Sequence, residues 1–391
     1  MKTTLRILSL LLALLLLTAC GAAATTEPSE GTTPIVTTTA APTEPQPTTI
    51  KNIIIVIGDG MGDAQVEVGE LGMGVQFCFR DWQSTHSNTN SLDSAGRATK
   101  VTDSAAGGTA LATGVVTVNK YVGKDAEGND LQTIMDHAKQ YGKATGVVST
   151  DAMNGATPSA FSGHSVDRND TQTILYTQLE SNVDLLCANA TSDSKNMKSF
   201  AEQAGYAYCD NFSKIGEAKE SDKAYWLFDM AGMGATNKLE KVVPHALEFL
   251  DRNEEGFVLM IEQGHIDKYC HNNEIDGTIM MANSLNNTVE AILAWLGDRT
   301  DTAIIITADH ETGSLKVSPE KKYPNNFSAN GNSFYYLYGS EDHSDTPVPV
   351  YVYGFLADFT PYYLDDTKEV IKNISVFEMM LDLLKNPERV N

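Results

Sequence analysis

From residue 52 onward the chain alternates short, unbroken apolar runs with longer amphipathic stretches. Ile53-Ile54-Ile55-Val56-Ile57 ends abruptly at Gly58-Asp59-Gly60. A continuous β-branched run closed by glycine is the pattern of a strand buried on both faces. Residues 145–149, 183–186, 257–261, 303–307 and 350–353 repeat it. Between them, 131–140, 171–179, 245–251 and 275–296 carry helical spacing. Strands alternating with helices predict an α/β fold: a single domain with a central, mostly parallel sheet flanked by helices on both faces. No internal repeat interrupts it. Residues 313–345 are rich in Asn, Ser, Gly and Tyr and read as a long surface excursion. In open α/β sheets, sites gather where strands end at their carboxyl side. That rule singles out Asp59, residues 150–157, residues 262–271 and Asp309-His310.

Before residue 51 the pattern is of another kind. Lys2 and Arg6 precede an apolar run over 7–17, and Leu17-Thr18-Ala19-Cys20-Gly21 follows. The run is short for a membrane span and has the form of a signal peptide. The small pair before Cys20 is similar to a bacterial lipobox, which implies cleavage after residue 19 and lipidation of Cys20. Residues 20–50 are Thr, Pro, Ala and Glu with few large apolar side chains. Such a stretch cannot bury enough surface to offset its ordering entropy, so it reads as a disordered tether. The expectation is an extracytoplasmic domain over 51–391, held to a bacterial cell membrane through the lipid on Cys20.

Charge adds a constraint. With 28 Lys and Arg against 51 Asp and Glu, the net charge is −23. Such a chain repels nucleic acid and anionic lipid. If its substrate is an anion, it needs a local cationic device, and bound metal ions are the obvious one. Cysteine chemistry is not that device, because Cys78, Cys187, Cys209 and Cys270 form no Cys-x-x-Cys pair. Neighbouring strands could join Cys187 to Cys209; Cys78 and Cys270 are expected unpaired.

Several polar clusters follow the apolar runs. Asp309-His310 leaves the strand at 303–307, and carboxylate with imidazole is ordinary zinc-ligand chemistry. Glu262 follows a buried strand, where an unpaired carboxylate is costly. Asp267 and His271, four apart, would share one face of a helical turn. Asp59 lies between two glycines, and His343 precedes the strand at 350–353. Asp103-Ser104 opens a run of small residues. This is the form of a helix N-cap, and also of a hydroxyl placed where helix N–H groups favour an oxyanion or phosphate. Each feature alone is common.

The ordered set is not: Gly58-Asp59-Gly60-Met61-Gly62, Thr102-Asp103-Ser104-Ala105, Ala156-Thr157-Pro158 with His164 and Arg168, then Glu262, Asp267, His271, Asp309-His310 and His343. From about residue 50 to the C-terminus it resembles the alkaline phosphatase family. The resemblance implies hydrolysis of small phosphate monoesters through a phosphoserine on Ser104, with Arg168 gripping the phosphate and Lys268 beside it. It implies two Zn2+ and one Mg2+. Asp267, His271 and His343 would hold the first zinc, and Asp59, Asp309 and His310 the second. Asp59, Thr157 and Glu262 would hold magnesium, which prefers such all-oxygen sets. Six positive charges against four carboxylates leave a surplus suited to a phosphate dianion. Paired zinc ions can clamp the entering and leaving oxygens of an in-line displacement. A homodimer is one state the resemblance allows; the sequence does not fix it.

One position departs from the family. Where members commonly carry Asp or His two residues before the magnesium-binding threonine, this chain has Gly155. The expectation is a weakened third site and a Lys268 without its acidic neighbour, free to turn toward phosphate. Two other classes of function compete, a related hydrolase and a binding protein. A phosphodiesterase of the same superfamily keeps similar zinc ligands but often replaces the serine by threonine. A sulfatase would need a Cys/Ser-x-Pro-x-Arg motif, and none is present. A surface lipoprotein that binds phosphate or metal without turnover would fit the lipobox and tether, but has no need of Ser104.

Overall fold

In a computed structural model, which describes residues 48–389, the unbroken apolar runs form the middle of a ten-stranded sheet. Its strands, in chain order, are β1 (Asn52–Gly58), β2 (Gln83–Ser87), β3 (Ala144–Ala152), β4 (Leu185–Asn189), β5 (Ala207–Cys209), β6 (Ala224–Phe228), β7 (Phe257–Gln263), β8 (Thr302–Thr307), β9 (Val348–Tyr353) and β10 (Val370–Ile371). Their spatial order is β10-β2-β9-β8-β1-β7-β3-β4-β6-β5. Only β9 runs against the rest. Helices of seven or more residues are α1 (Asp63–Met73), α2 (Ser104–Thr113), α3 (Ile134–Gln140), α4 (Ala156–Ser162), α5 (Thr171–Glu180), α6 (Leu239–Leu250), α7 (His265–His271), α8 (Ile275–Leu296) and α9 (Ser375–Lys385).

The apolar runs are unbroken because both sheet faces are covered. Successive side chains of a strand point to opposite faces. In β1, Ile53, Ile55 and Ile57 join a core with Leu111 of α2, Ile134 of α3, Phe161 of α4 and Met380 of α9. Ile54 and Val56 join another with Val66 of α1, Val243 of α6 and Leu285 of α8. All five are at most 1% exposed. No helix among the described residues is long and apolar enough to cross a membrane.

Four expectations change. The signal segment, Cys20 and the tether up to residue 47 lie outside the described residues. Thr48–Thr49, however, pairs with Glu388–Arg389, and Ile50 is buried, so the folded part reaches back a few residues before 51. The helix expected at 245–251 is α6 and starts at Leu239. Pro244 sits in its second turn, where it forfeits one helical hydrogen bond without ending the helix. The stretch at 313–345 is not irregular. Lys316–Ser318, Asn325–Ala329 and Asn332–Leu337 form an antiparallel sheet of their own. Phe327 and Phe334 stack there, centroids 4.9 Å apart, over Val68, Ile275 and Ile279. Its polar residues belong to a face that is open to water, which hid the strands. Finally, Cys187 and Cys209 are not on neighbouring strands. Both pair across to Trp226, from opposite sides of β6. Two strand spacings, about 9–10 Å, exceed disulfide reach, and all four described cysteines are free.

Candidate metal centre

Register brings the ligand candidates together. Ile57 of β1 is level with Glu262 of β7 and Thr307 of β8. Asp59, Glu262 and Asp309 therefore emerge side by side at the carboxyl edge of three adjacent strands. Ser149 of β3 is level with Glu262 as well. Because β9 runs the other way, its start lies at this same edge, and His343 just upstream is delivered to the site. Gly60 (φ 75°) makes the turn after Asp59. A Cβ there would meet Cα of Asp267 at 2.7 Å, so only glycine lets α7 come this close.

Three helix starts complete the edge. Asp103 caps α2, its carboxylate accepting from Ala106 N. Ser104, the first residue of α2, places Oγ 3.2 Å from His310 Nε2. The cap and the candidate nucleophile are thus adjacent residues of one motif. Asp103 also accepts from Arg168 Nη1 at 3.1 Å, which holds the guanidinium beside Ser104. Thr157, the second residue of α4, is buried. On α7, Asp267 and His271 share one face, with His271 Nε2 3.3 Å from Asp267 Oδ1.

The imidazoles are oriented alike. His271 Nδ1 donates to the Glu341 carbonyl, and His343 Nδ1 donates to the Thr102 carbonyl at 2.8 Å. His310 Nδ1 lies 3.1 Å from Thr312 Oγ1. With Nδ1 engaged, Nε2 of each ring is the nitrogen left to bind a metal. Asp59, Asp309 and His310 can converge on one ion, and Asp267, His310 and His343 on another. His271 Nε2 belongs beside the latter, 3.1 Å from His343 Nε2.

Without cations this arrangement is costly. Burial, then the charges of Asp309 and Asp267, push Asp59 well above the usual carboxylate range. Burial, then Asp151, pushes Glu262 up to about 8. Burial, then Asp267, pushes Asp309 to about 7. Burial also works on Asp267, but its hydrogen bond with His271 and the nearby imidazoles outweigh it and hold the group low. The Asp267 carboxylate raises His271 to about 9, and burial holds His310 well below the usual imidazole value. Asp59 Oδ1, Asp309 Oδ2 and Thr157 Oγ1 are buried without a regular hydrogen bond. Buried polar atoms normally have partners. These three are the atoms a divalent cation would satisfy, and the donor set fits one.

Lys268 contradicts the expectation drawn from Gly155. Its ammonium is not free: Nζ donates to Asp151 Oδ1 at 2.5 Å. Asp151, near the end of β3, fills the space beside the bare Gly155. The only sequence signal for it was an acid at the edge of a buried strand. Thr312 was missed too. Its hydroxyl donates to Asp267 Oδ1 at 2.5 Å and touches His310, so it joins the two metal groups. A groove of about 850 Å³, lined by Glu67, Glu70, Arg80 and Asn332, holds none of these residues.

A sequence profile of the family described as Alkaline phosphatase matches residues 50–183 and 173–376. Alkaline phosphatase 4 of Bacillus subtilis (strain 168) is 29% identical over 292 residues, covering 68% of this chain and 63% of that protein. The chain thus matches less than two thirds of that relative's length. Alkaline phosphatase of Escherichia coli (strain K12) is 27% identical over 383 residues, 78% of this chain and 81% of that one. The crystal structure of a cold-active alkaline phosphatase from a psychrophilic Shewanella sp. has a TM-score of 0.74 at 25% identity, covering 85% of this chain and 99% of that one. The ordered acids and imidazoles at the sheet edge, and a profile match running from the buried Ile50 to the start of α9, lead to one conclusion: the chain belongs to the alkaline phosphatase family.

Proposed function

We propose that this protein hydrolyses small phosphate monoesters to an alcohol and inorganic phosphate through a phosphoserine on Ser104. The observation that carries the reading is the Ser104 hydroxyl at the start of α2, 3.2 Å from His310 Nε2 and beside an Arg168 already oriented by Asp103. Two Zn2+ held by Asp267, His271, His343, Asp59, Asp309 and His310, with Mg2+ on Asp59, Thr157 and Glu262, would supply the positive charge and Lewis acidity that these buried carboxylates call for. Arg168 takes two phosphate oxygens through its planar fork. Ser104 Oγ attacks phosphorus, and the ester oxygen leaves from the opposite side. Water then cleaves the phosphoserine, which restores the hydroxyl and releases phosphate. The start of α2 favours the negative charge at both stages.

The test is turnover of a nitrophenyl phosphate monoester and of the matching diester, before and after chelation. Monoester turnover that is lost with the metals supports the reading. Preference for the diester points to a phosphodiesterase, and bound phosphate without turnover to a binding protein. Ser104→Ala is expected to lower turnover by several orders of magnitude and to abolish the phosphoenzyme trapped at acid pH, with zinc content unchanged. We further propose that Cys20 carries a lipid anchor, that the protein acts outside the cytoplasm, and that nucleic acid is not a partner. Cys20→Ser should then leave the membrane fraction with unchanged specific activity.

A further inference from the structure

We propose that Asp151 is a positioning residue of the third, all-oxygen group. From the end of β3 it supplies the carboxylate that restrains Lys268 and steadies Glu262, in a space that Gly155 keeps open. The inference rests on the phosphatase reading of this site and adds a residue to it.

Three contacts carry it. First, Asp151 Oδ1 accepts from Lys268 Nζ at 2.5 Å and from Ala152 N at 2.7 Å, so the carboxylate is fixed at both the ammonium and its own backbone. Second, Asp151 N donates to Ser149 Oγ at 2.8 Å, and Ser149 Oγ donates to the Glu262 carboxylate. One residue thus connects the cation on α7 with the acid on β7. Third, two glycines shape the space around it. A Cβ on Gly155 would lie 2.9 Å from the Ala152 carbonyl oxygen, 2.9 Å from Asp151 Oδ2 and 3.0 Å from Asp151 Cγ. A Cβ on Gly264 would lie 3.1 Å from Asp151 Cβ and 3.5 Å from Glu262 Oε1. A side chain at 155 would therefore press on the Asp151 carboxylate as well as on the Ala152 carbonyl.

An isolated surface ion pair would contribute little. Asp151 differs because its side chain is 23% exposed and its backbone is tied to the buried Glu262. Groups that orient metal ligands typically account for about 10–100-fold in metal affinity. The arrangement also explains how Gly155 can be tolerated. The acid has moved to the other side of the same space.

The experiment titrates magnesium chloride into zinc-loaded protein and reads binding directly by calorimetry and metal analysis. Unfolding temperature and zinc content serve as folding controls. Asp151→Asn, nearly isosteric, is expected to weaken magnesium binding about 10–100-fold. Gly155→Asp alone should not tighten it, because it sets a second carboxylate against the first. Asp151→Ala combined with Gly155→Asp returns one acid to one space and should recover most of what Asp151→Ala loses. Such recovery is not the response of a residue that merely supports the fold. The proposal is overturned if Asp151→Asn binds magnesium as the native protein does. Native protein without monoester turnover, yet with Asp151-dependent magnesium binding, would sink the phosphatase reading and leave this one standing. Turnover with Asp151-independent binding would do the reverse.

Discussion

A histidine offers a metal only the nitrogen that its other hydrogen bond leaves free. For His271 and His343 that other bond goes to a backbone carbonyl, of Glu341 and Thr102. For His310 it goes to Thr312. The ligand types were readable from the chain; these partners were not, because a carbonyl leaves no mark on the residue that bears it. Thr312 is the exception that a side chain could have revealed, and it is the one that can be tested. Thr312→Val keeps the shape and removes the hydroxyl that fixes both Asp267 and His310. It should weaken zinc retention about 10–100-fold, read as zinc content after dialysis against graded chelator. Zinc retained as in the native protein would show that the two ligands hold themselves in place.

Helix α2 begins on one residue with two tasks. Asp103 caps it through Ala106 N and holds Arg168. The two tasks separate on substitution. Asp103→Asn keeps a good cap but loses the charged pair, so phosphate inhibition should weaken severalfold with little change in unfolding temperature. Asp103→Ala loses both, adding a cap cost of about 1 kcal/mol. Equal unfolding temperatures for the two variants would contradict the separation. At this scale the sequence spoke clearly where packing was two-sided. The middles of β1, β7 and β8 are unbroken apolar runs because both faces are buried. It spoke poorly where one face meets water. Asn325–Ala329 and Asn332–Leu337 alternate Phe with Asn and Ser, and the polar half dominated the reading. β6, Ala224–Phe228, was missed although wholly buried. Its run is short and it follows a charged stretch.

Across the whole molecule, the site sets how stability responds to pH when metal is absent. Glu262 at about 8, Asp309 at about 7 and His271 at about 9 are all raised above their ordinary values. Each contributes stability that is complete at low pH and lost as pH rises through the folded value. His310, held low, opposes them only below its ordinary value of 6.5. Asp267 acts only below 3.8. Metal-free protein should therefore lose unfolding temperature between pH 6.5 and 9, and by more than the metal-loaded protein over the same range. Parallel curves for the two forms would show that these groups do not titrate as a buried cluster. One feature at the other end of the sheet has a separate use. Thr48–Thr49 and Glu388–Arg389 are paired, so the two ends of the described chain lie one strand spacing apart, about 4.8 Å. They sit where β1 begins, about 20 Å of strand away from Asp59. A short peptide could join them, and new ends could be opened at the exposed Lys321-Lys322. Such a circular permutant should fold, bind zinc and turn over ester as the native order does, because neither cut nor splice touches the edge where the ligands meet.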